Sequence, residues 1–244
     1  MVDTIYEDRI LASFYDAFNT DERDHDFYLA LARSKPIRML DLGCGTGTFA
    51  CRAAIAGHEM TGLDPAAGML EVAQSRPDSH RVCWIAADAR DFAIDRAFDL
   101  IVMSGHAFQV FLTDADIRRL LSSVAAHLAP GGRFAFESRN PLMRAWETWT
   151  PEASREQASI APYGRIEAFY RFVSIDHELV IFETHYTFQD GSERVSPSTL
   201  RFPSQKVIAR QLADASFSRV AWYGDFHGAP YTVESPEIIS VANG

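Results

Sequence analysis

Between Met39 and Ala50 the chain reads MLDLGCGTGTFA: an apolar run, three glycines at alternate positions (Gly43, Gly45 and Gly47), then small residues. No other stretch limits the possible folds so tightly. Glycines at this density let a turn adopt left-handed backbone angles and leave bare peptide for a ligand to lie against. The run before them has the length of a buried strand, and Thr46 to Ala56 suits a helix closed by Gly57. The spacing separates this turn from two familiar phosphate cradles. A dinucleotide loop is spaced GxGxxG, whereas here Thr48 stands where its third glycine would fall, and no Gly-Lys-Ser/Thr follows as in a P-loop. Asp41, at the strand end just ahead of the glycines, would repel a pyrophosphate and suits a cationic ligand, either a charged amine or a sulfonium.

Down the chain, strands and helices go on alternating. HEMTGLD, RVCWI, FDLIVMS and RFAFES read as strands, with helices near Ala66 to Ser75 and Thr113 to Leu128 and a turn at APGG. Two helices, one carrying Leu11, Phe14, Tyr15 and Phe18 and the other Phe27, Leu29 and Leu31, precede the first strand. The expected fold is α/β, a doubly wound, mostly parallel sheet. The rhythm breaks after Asn140. Three strand-like runs follow a Trp-rich stretch, at Arg165 to Ile175, Glu178 to Gln189 and Glu193 to Phe202, joined by the hairpin signals DHE and DGS. A helix at Ser204 to Ala215 and two further strands then complete a seven-stranded sheet, with the antiparallel part as an inserted lid. The expected division is an N-terminal helical cover (1–34), a core (35–140 and 203–244) and a lid (141–202).

Composition narrows the function classes. The formal net charge of −10 and the lack of any basic run argue against a nucleic-acid face, which needs clustered Lys and Arg. The three cysteines, Cys44, Cys51 and Cys83, lack metal-ligand spacing, so no metal site is expected. No apolar run reaches the eighteen or so residues of a spanning helix, and the first ten residues carry acids where a signal peptide would be basic. A cytoplasmic monomer or homodimer with a small-molecule acceptor, no nucleic acid and no membrane is the expectation.

LDLGCGTG resembles the first motif of the class I S-adenosylmethionine-dependent methyltransferases, and four further stretches follow it in the family's order: TGLDPAAGML, IAADARDF, FDLIVMSGHAF and LAPGGRFAFE. The resemblance covers Lys35 to Glu137, and the lid stands where glycine and sugar-amine methyltransferases carry theirs. It implies a Rossmann-like seven-stranded sheet and S-adenosylmethionine as cofactor, with S-adenosylhomocysteine as product. It assigns Asp41, Gly43, Cys44, Gly45, Asp64, Pro65, Met69, Asp88, Ala89 and Ser104 to the cofactor. Within that set, Asp64 takes the ribose hydroxyls, while Asp88 faces the adenine amino group beside backbone from Ala89. Asp64 also reads as a helix N-cap and Asp88 as a solvated loop acid.

Methyl transfer from a sulfonium needs chiefly an acceptor lone pair held in line and shielded from water. A base becomes useful for a hydroxyl acceptor, which singles out His106 just past the fourth strand. His106 equally suits a structural hydrogen bond to loop backbone. Arg139 follows the fifth strand, and Tyr15 resembles a tyrosine that in small-molecule methyltransferases lies on a helix covering the cofactor, where its ring suits a sulfonium. His106, Tyr15 and Arg139 are the catalytic candidates. Arg201 suits either a partner for an acidic acceptor group or a surface ion pair, and Tyr186 either a pocket wall or core filling. The expected activity is methyl transfer to nitrogen or oxygen of a small molecule, with a non-catalytic S-adenosylmethionine-binding module as the alternative.

Overall fold

The computed structural model describes residues 4–32 and 35–244. The elements run α1 (Thr4–Glu7), α2 (Arg9–Phe18), α3 (Arg23–Leu31), β1 (Arg38–Leu42), α4 (Thr48–Ile55), β2 (Glu59–Asp64), α5 (Ala67–Ser75), β3 (Val82–Ala86), β4 (Phe98–Met103) and α6 (Asp114–His127). They continue with β5 (Leu128–Arg139), β6 (Glu156–Ile160), β7 (Gly164–Asp176), β8 (Leu179–Thr187), β9 (Glu193–Arg201), α7 (Gln205–Asp214), β10 (Ser218–Tyr223) and β11 (Glu237–Asn243).

Seven strands form the main sheet in the order β10-β11-β5-β4-β1-β2-β3. Pairing is parallel from β5 to β3, and β11 runs antiparallel to both β5 and β10. The apolar runs of β1 and β4 reflect a sheet covered on both faces, with successive side chains going to opposite sides. Leu40, Leu42, Ile101, Met103, Phe134 and Phe136 pack with residues of α6 and α7. Met39, Leu100, Val102 and Ala135 pack with Phe27 and Tyr28 of α3 and Phe49 of α4. Thr113 and Ser204 cap α6 and α7 through their hydroxyls. The wound sheet expected from the sequence is therefore present, with β1, β2 and β4 ending on one edge. Among the described residues no helix is long and apolar enough to cross a membrane.

The second sheet is antiparallel, ordered β6-β7-β8-β9. It has one strand more than the sequence reading gives. β6 (EQASI) is an edge strand with only partly buried or exposed residues, so it lacks an apolar alternation and is held by pairing with β7 from Glu156↔Ala168 to Ile160↔Gly164. The APGG turn also differs. Strand pairing of β5 begins at Leu128, and the register with β4 steps from Phe98↔Leu128 to Leu100↔Arg133 around it. Trp146 and Trp149 pack rather than line a cavity: Trp146 meets Phe202 edge-on at 4.9 Å, and Trp149 lies 4.6 Å from Phe182.

Helix α2 joins the two sheets. Leu11 and Phe14 pack against Ile166, Ala168 and Tyr186 of the second sheet, while Ala12 packs against Ala66 and Met69 beside the end of β2. On the other side, Arg201 at the end of β9 pairs with Glu178 (2.8 Å) and with Asp114 at the start of α6 (2.7 Å). These pairs tie Nε and Nη2 of Arg201 to the fold, while Nη1 is buried without a hydrogen-bond partner among the described residues.

Candidate active site

The glycine turn is pinned to β2 by backbone. The N–H groups of Gly43 and Cys44 both donate to the Leu63 carbonyl, at 2.8 and 3.1 Å. Gly45 N–H donates to Asp64 Oδ2 and Ala66 N–H to Asp64 Oδ1, each at 2.8 Å. Asp64 thus clamps the glycine turn and holds Ala66, the residue before α5, and each oxygen keeps a further lone pair for a ligand. Burial pushes its pKa up, against those two hydrogen bonds. The glycines differ in what they serve. Gly45, at φ +53°, would carry a Cβ with no atom within 4 Å, so its backbone faces open space, whereas a Cβ on Gly47 would lie 2.5 Å from the Trp84 ring. Gly45 leaves backbone bare; Gly47 makes room for packing.

Beneath the turn lies Asp41, fully buried, with no hydrogen-bond partner among the described residues for either carboxylate oxygen. Burial first, and then the nearby Asp64, hold its pKa well above the carboxylate range. A buried carboxyl without a partner is costly, and such groups are rare unless a ligand completes them. Asp16 of α2 closes the turn from above: it accepts from the Thr46 hydroxyl at 2.6 Å and pairs with Arg76, which also donates to Thr48 Oγ1 at 2.6 Å.

The remaining residues that the family resemblance assigns to the cofactor follow β2, β3 and β4 or lie on α5. Met69 is buried on α5, exposed Pro65 follows Asp64, Ala89 is buried in the core, and Ser104 follows β4. Cys44 is buried and its thiol is pushed up by burial, which makes it a poor nucleophile. The Asp88 carboxylate is forked by Arg90, with Nε at 2.9 and 3.1 Å from its two oxygens, and Arg90 also reaches Asp116 at 2.8 Å. Arg90 holds Asp88 below its ordinary pKa. Asp88 therefore stands at the end of a salt-bridged chain, not as a free loop acid.

The other half of the site is made of side chains. His106 sits at φ +60°, a left-handed position that a non-glycine residue keeps only when its surroundings impose it. Its backbone N–H donates to Glu137, which is fully buried on β5 and also accepts from the Tyr28 hydroxyl. Burial, then the charge of Asp24, push Glu137 up to about 8. His106 Nε2 lies 3.0 Å from Glu237 Oε2 at the start of β11. Burial and the Arg139 charge lower the His106 pKa and Glu237 opposes them, leaving the imidazole neutral at pH 7.

Arg139 at the end of β5 donates from Nη1 to Gln109 Oε1 at 2.9 Å and lies 5.8 Å from the centroid of Trp149. Among the described residues it forms no ion pair within 4 Å of a carboxylate. Its charge acts on His106, Tyr15 and Tyr170. The Tyr15 hydroxyl lies 3.7 Å from where a Cβ on Gly105 would stand, and burial pushes its pKa up to about 12. His106, Tyr15 and Arg139 are therefore gathered on one rim, beyond the ends of β4 and β5. Tyr186 is buried against Phe14 and Phe18 of α2, at 5.9 and 6.0 Å, and builds the junction between lid and cover.

The sequence reading missed Glu137, Glu237 and Gln109. Glu137 left a signal, an acid inside the apolar strand RFAFES. Gln109 and Glu237 left none, since each acts on a residue far away in the chain.

Residues 39–132 match the model of a methyltransferase domain. The cypemycin N-terminal methyltransferase of a Streptomyces species is 31% identical over 103 residues, covering 42% of this chain and 42% of that protein. The chain thus spans less than half the length of that relative. The glycine/sarcosine N-methyltransferase of Halorhodospira halochloris is 26% identical over 241 residues, covering 95% and 85%. In fold, the methyltransferase CcbJ from Streptomyces caelestis superposes with a TM-score of 0.80 at 18% identity, covering 98% of this chain and 97% of that one. The chain has that fold, and its glycine turn and Asp64 lie inside the stretch that matches the methyltransferase domain.

Proposed function

We propose that the chain transfers a methyl group from S-adenosylmethionine to a nitrogen atom of a small acceptor that also carries an acidic group, releasing S-adenosylhomocysteine. The cradle fits this cofactor on two counts. The unpartnered Asp41 carboxyl calls for a cationic or hydrogen-bond-donating group above it, and Gly45 leaves backbone uncovered beside Asp64. Asp64 would hold the ribose hydroxyls through its spare lone pairs, and the backbone of the glycine turn would take the amino-acid end. When bound, the cofactor supplies a methyl group already activated on a sulfonium.

Arg139 carries the assignment of acceptor class. It is a partly buried guanidinium without a carboxylate of its own among the described residues, on the same rim as His106 and Tyr15. A cation kept from pairing inside a mostly acidic protein suits an anion brought in by the ligand. A neutral imidazole at His106 suits removal of a proton from the acceptor's ammonium group, and Tyr15 shields the rim from water. The relative that acts on glycine and sarcosine fits the same pattern, an amine and a carboxylate in one small molecule. The lid, residues 141–202, closes over this acceptor, and the helices before β1 cover the cofactor.

A direct test incubates the chain with S-adenosylmethionine and matched pairs of acceptors, such as glycine with glycinamide and sarcosine with its amide, and reads methylated product by mass. Product from the acids and much less from the amides is expected. Methylation of neutral hydroxyl compounds alone would overturn the reading.

A further inference from the structure

Glu237 and Arg139 stand directly opposite each other on antiparallel β11 and β5. Opposed positions of this kind put the two side chains on one face of the sheet, close enough to pair. They do not pair. The Arg139 guanidinium is drawn to the amide oxygen of Gln109, which is itself fully buried and fixed by donating to the Arg201 carbonyl at 2.9 Å. Glu237 is thereby left for His106, 131 residues away in sequence, at 3.0 Å from Nε2. Both side chains of that contact are largely buried, 19% and 15% exposed, so water competes little for it.

We propose that Glu237 is a positioning residue for His106: its carboxylate fixes the neutral imidazole as the Nε2–H form and leaves Nδ1 as the nitrogen that takes a proton from the acceptor. A carboxylate only accepts hydrogen bonds, so the ring nitrogen facing it must carry the hydrogen. A neutral imidazole has one N–H, and Nδ1 then holds the free lone pair. The Glu137 carboxyl, by accepting from the His106 backbone, holds the residue in its left-handed conformation so that the ring can reach β11. The charged or titratable groups around the ring are Asp24 from α3, Glu137 and Arg139 from β5 and Glu237 from β11. Arg139 disfavours the imidazolium, while Asp24 and Glu237 favour it. The proton step balances: the acceptor's N–H bond breaks, the electron pair stays on its nitrogen, the proton moves to Nδ1, and it later passes to water. This second half rests on the methyl-transfer reading; the tautomer does not.

The experiment labels the histidine rings of the full chain with 15N and records imidazole nitrogen spectra from pH 5 to 9, with His106→Gln used to assign the His106 signals. A protonated Nε2 and an unprotonated Nδ1 are expected in the wild type at high pH. In Glu237→Gln, the mixture of the two neutral forms should become more even and the titration midpoint of His106 should fall, because the carboxylate that favours the imidazolium is gone. An Nδ1–H form in the wild type, or an unchanged midpoint and tautomer in a Glu237→Gln protein that still melts cooperatively, would overturn the proposal. With glycine or sarcosine as acceptor, Glu237→Gln should lower kcat at least about tenfold, a part of what a general base contributes. S-adenosylhomocysteine affinity should be unchanged, and the acid limb of kcat/KM should move to lower pH. Glu237→Asp should restore part of the rate. If the wild type methylates no acceptor while its spectra show Nε2–H, the methyl-transfer reading fails and the positioning of His106 by Glu237 stands.

Discussion

Around Asp64 the hydrogen bonds run from backbone to side chain and close within 2 and 19 residues of sequence. Around His106 and Glu137 they run between side chains, or from a loop amide to a side chain, and span 31, 109 and 131 residues. The first construction serves a ligand of fixed shape: four backbone amides and two acids make a cradle whose geometry is set by the turn itself. The second is a mosaic from α3, the loop after β4, β5 and β11, and any of its side chains can change without disturbing the turn. A cofactor shared by many enzymes suits the first arrangement, and an acceptor that differs between them suits the second. The two halves should therefore fail separately when mutated.

The sharpest separation is expected at His106. His106→Gln should lower kcat about 100-fold or more while S-adenosylhomocysteine affinity stays within about twofold of wild type, as loss of a general base predicts. Turnover in steady state and binding by titration calorimetry check the two halves. Full activity would confine His106 to a structural role and leave the mosaic without its base.

The converse break comes at Asp64, which accepts two backbone hydrogen bonds and offers its remaining lone pairs to the ligand. Asp64→Ala should weaken S-adenosylhomocysteine binding by about 1.5 to 3 kcal/mol, the range for hydrogen bonds to a charged group. Because the clamp on Gly45 is lost as well, calorimetry should be paired with a melting curve. Unchanged affinity in a folded variant would remove Asp64 from the cradle.

A smaller effect should show how far the mosaic depends on the lid. Gln109 joins the last residue of β9 to Arg139, so Gln109→Leu frees the guanidinium and lets it turn toward Glu237 on the opposing strand. The KM for an acidic acceptor should rise roughly tenfold, matching about 1.5 kcal/mol for a hydrogen bond to a charged group, with kcat changed less. Equal loss for glycine and glycinamide would mean that Arg139 does not read the acid.

The same contrast explains what could be seen in the sequence. The seven-stranded sheet and the glycine turn were legible because a buried parallel strand is an apolar run and a bare turn needs glycine, both visible within ten residues of Asp41. β6 was not, because an edge strand with polar side chains is specified by its partner β7. Asp88 was legible as an acid after a strand, but its fork by Arg90 and the reach of Arg90 to Asp116 belong to the packing of α6. Tyr186 reads as a wall from its alternation, yet its ring belongs to the contact with α2, whose Asp16 holds the glycine turn. His106, Tyr15 and Arg139 were each visible as residues past a strand or on the covering helix, whereas Glu237 and Gln109 acquire a role only when β11 and β9 fold back beside them.

The last expected effect concerns stability rather than turnover and separates the halves by pH. Glu137 is an acid of the mosaic whose folded pKa is raised to about 8 from an ordinary value near 4.5, chiefly by burial. A raised carboxyl pKa means that the folded chain binds more protons than the unfolded chain between those two values. Its contribution to stability is complete below pH 4.5, declines as pH rises through the window, and is fully lost above about 8. Glu137→Gln keeps the shape, accepts from the His106 N–H with its oxygen and donates to the Tyr28 oxygen with its amide, so this slope should disappear. Melting temperatures of wild type and variant, taken from pH 5 to 9, should converge at the acid end and diverge by roughly 10 °C or more at the alkaline end, with the variant higher, since a rise from 4.5 to about 8 corresponds to several kcal/mol and each moves the melting point of a chain this size by about 2 to 4 °C. Asp41→Asn offers the matching test in the cradle, where burial also raises a carboxyl. Parallel melting curves for wild type and Glu137→Gln across the whole range would show that the buried acid under His106 stays ionised, and the neutral, proton-accepting environment assigned to that half of the site would have to be abandoned.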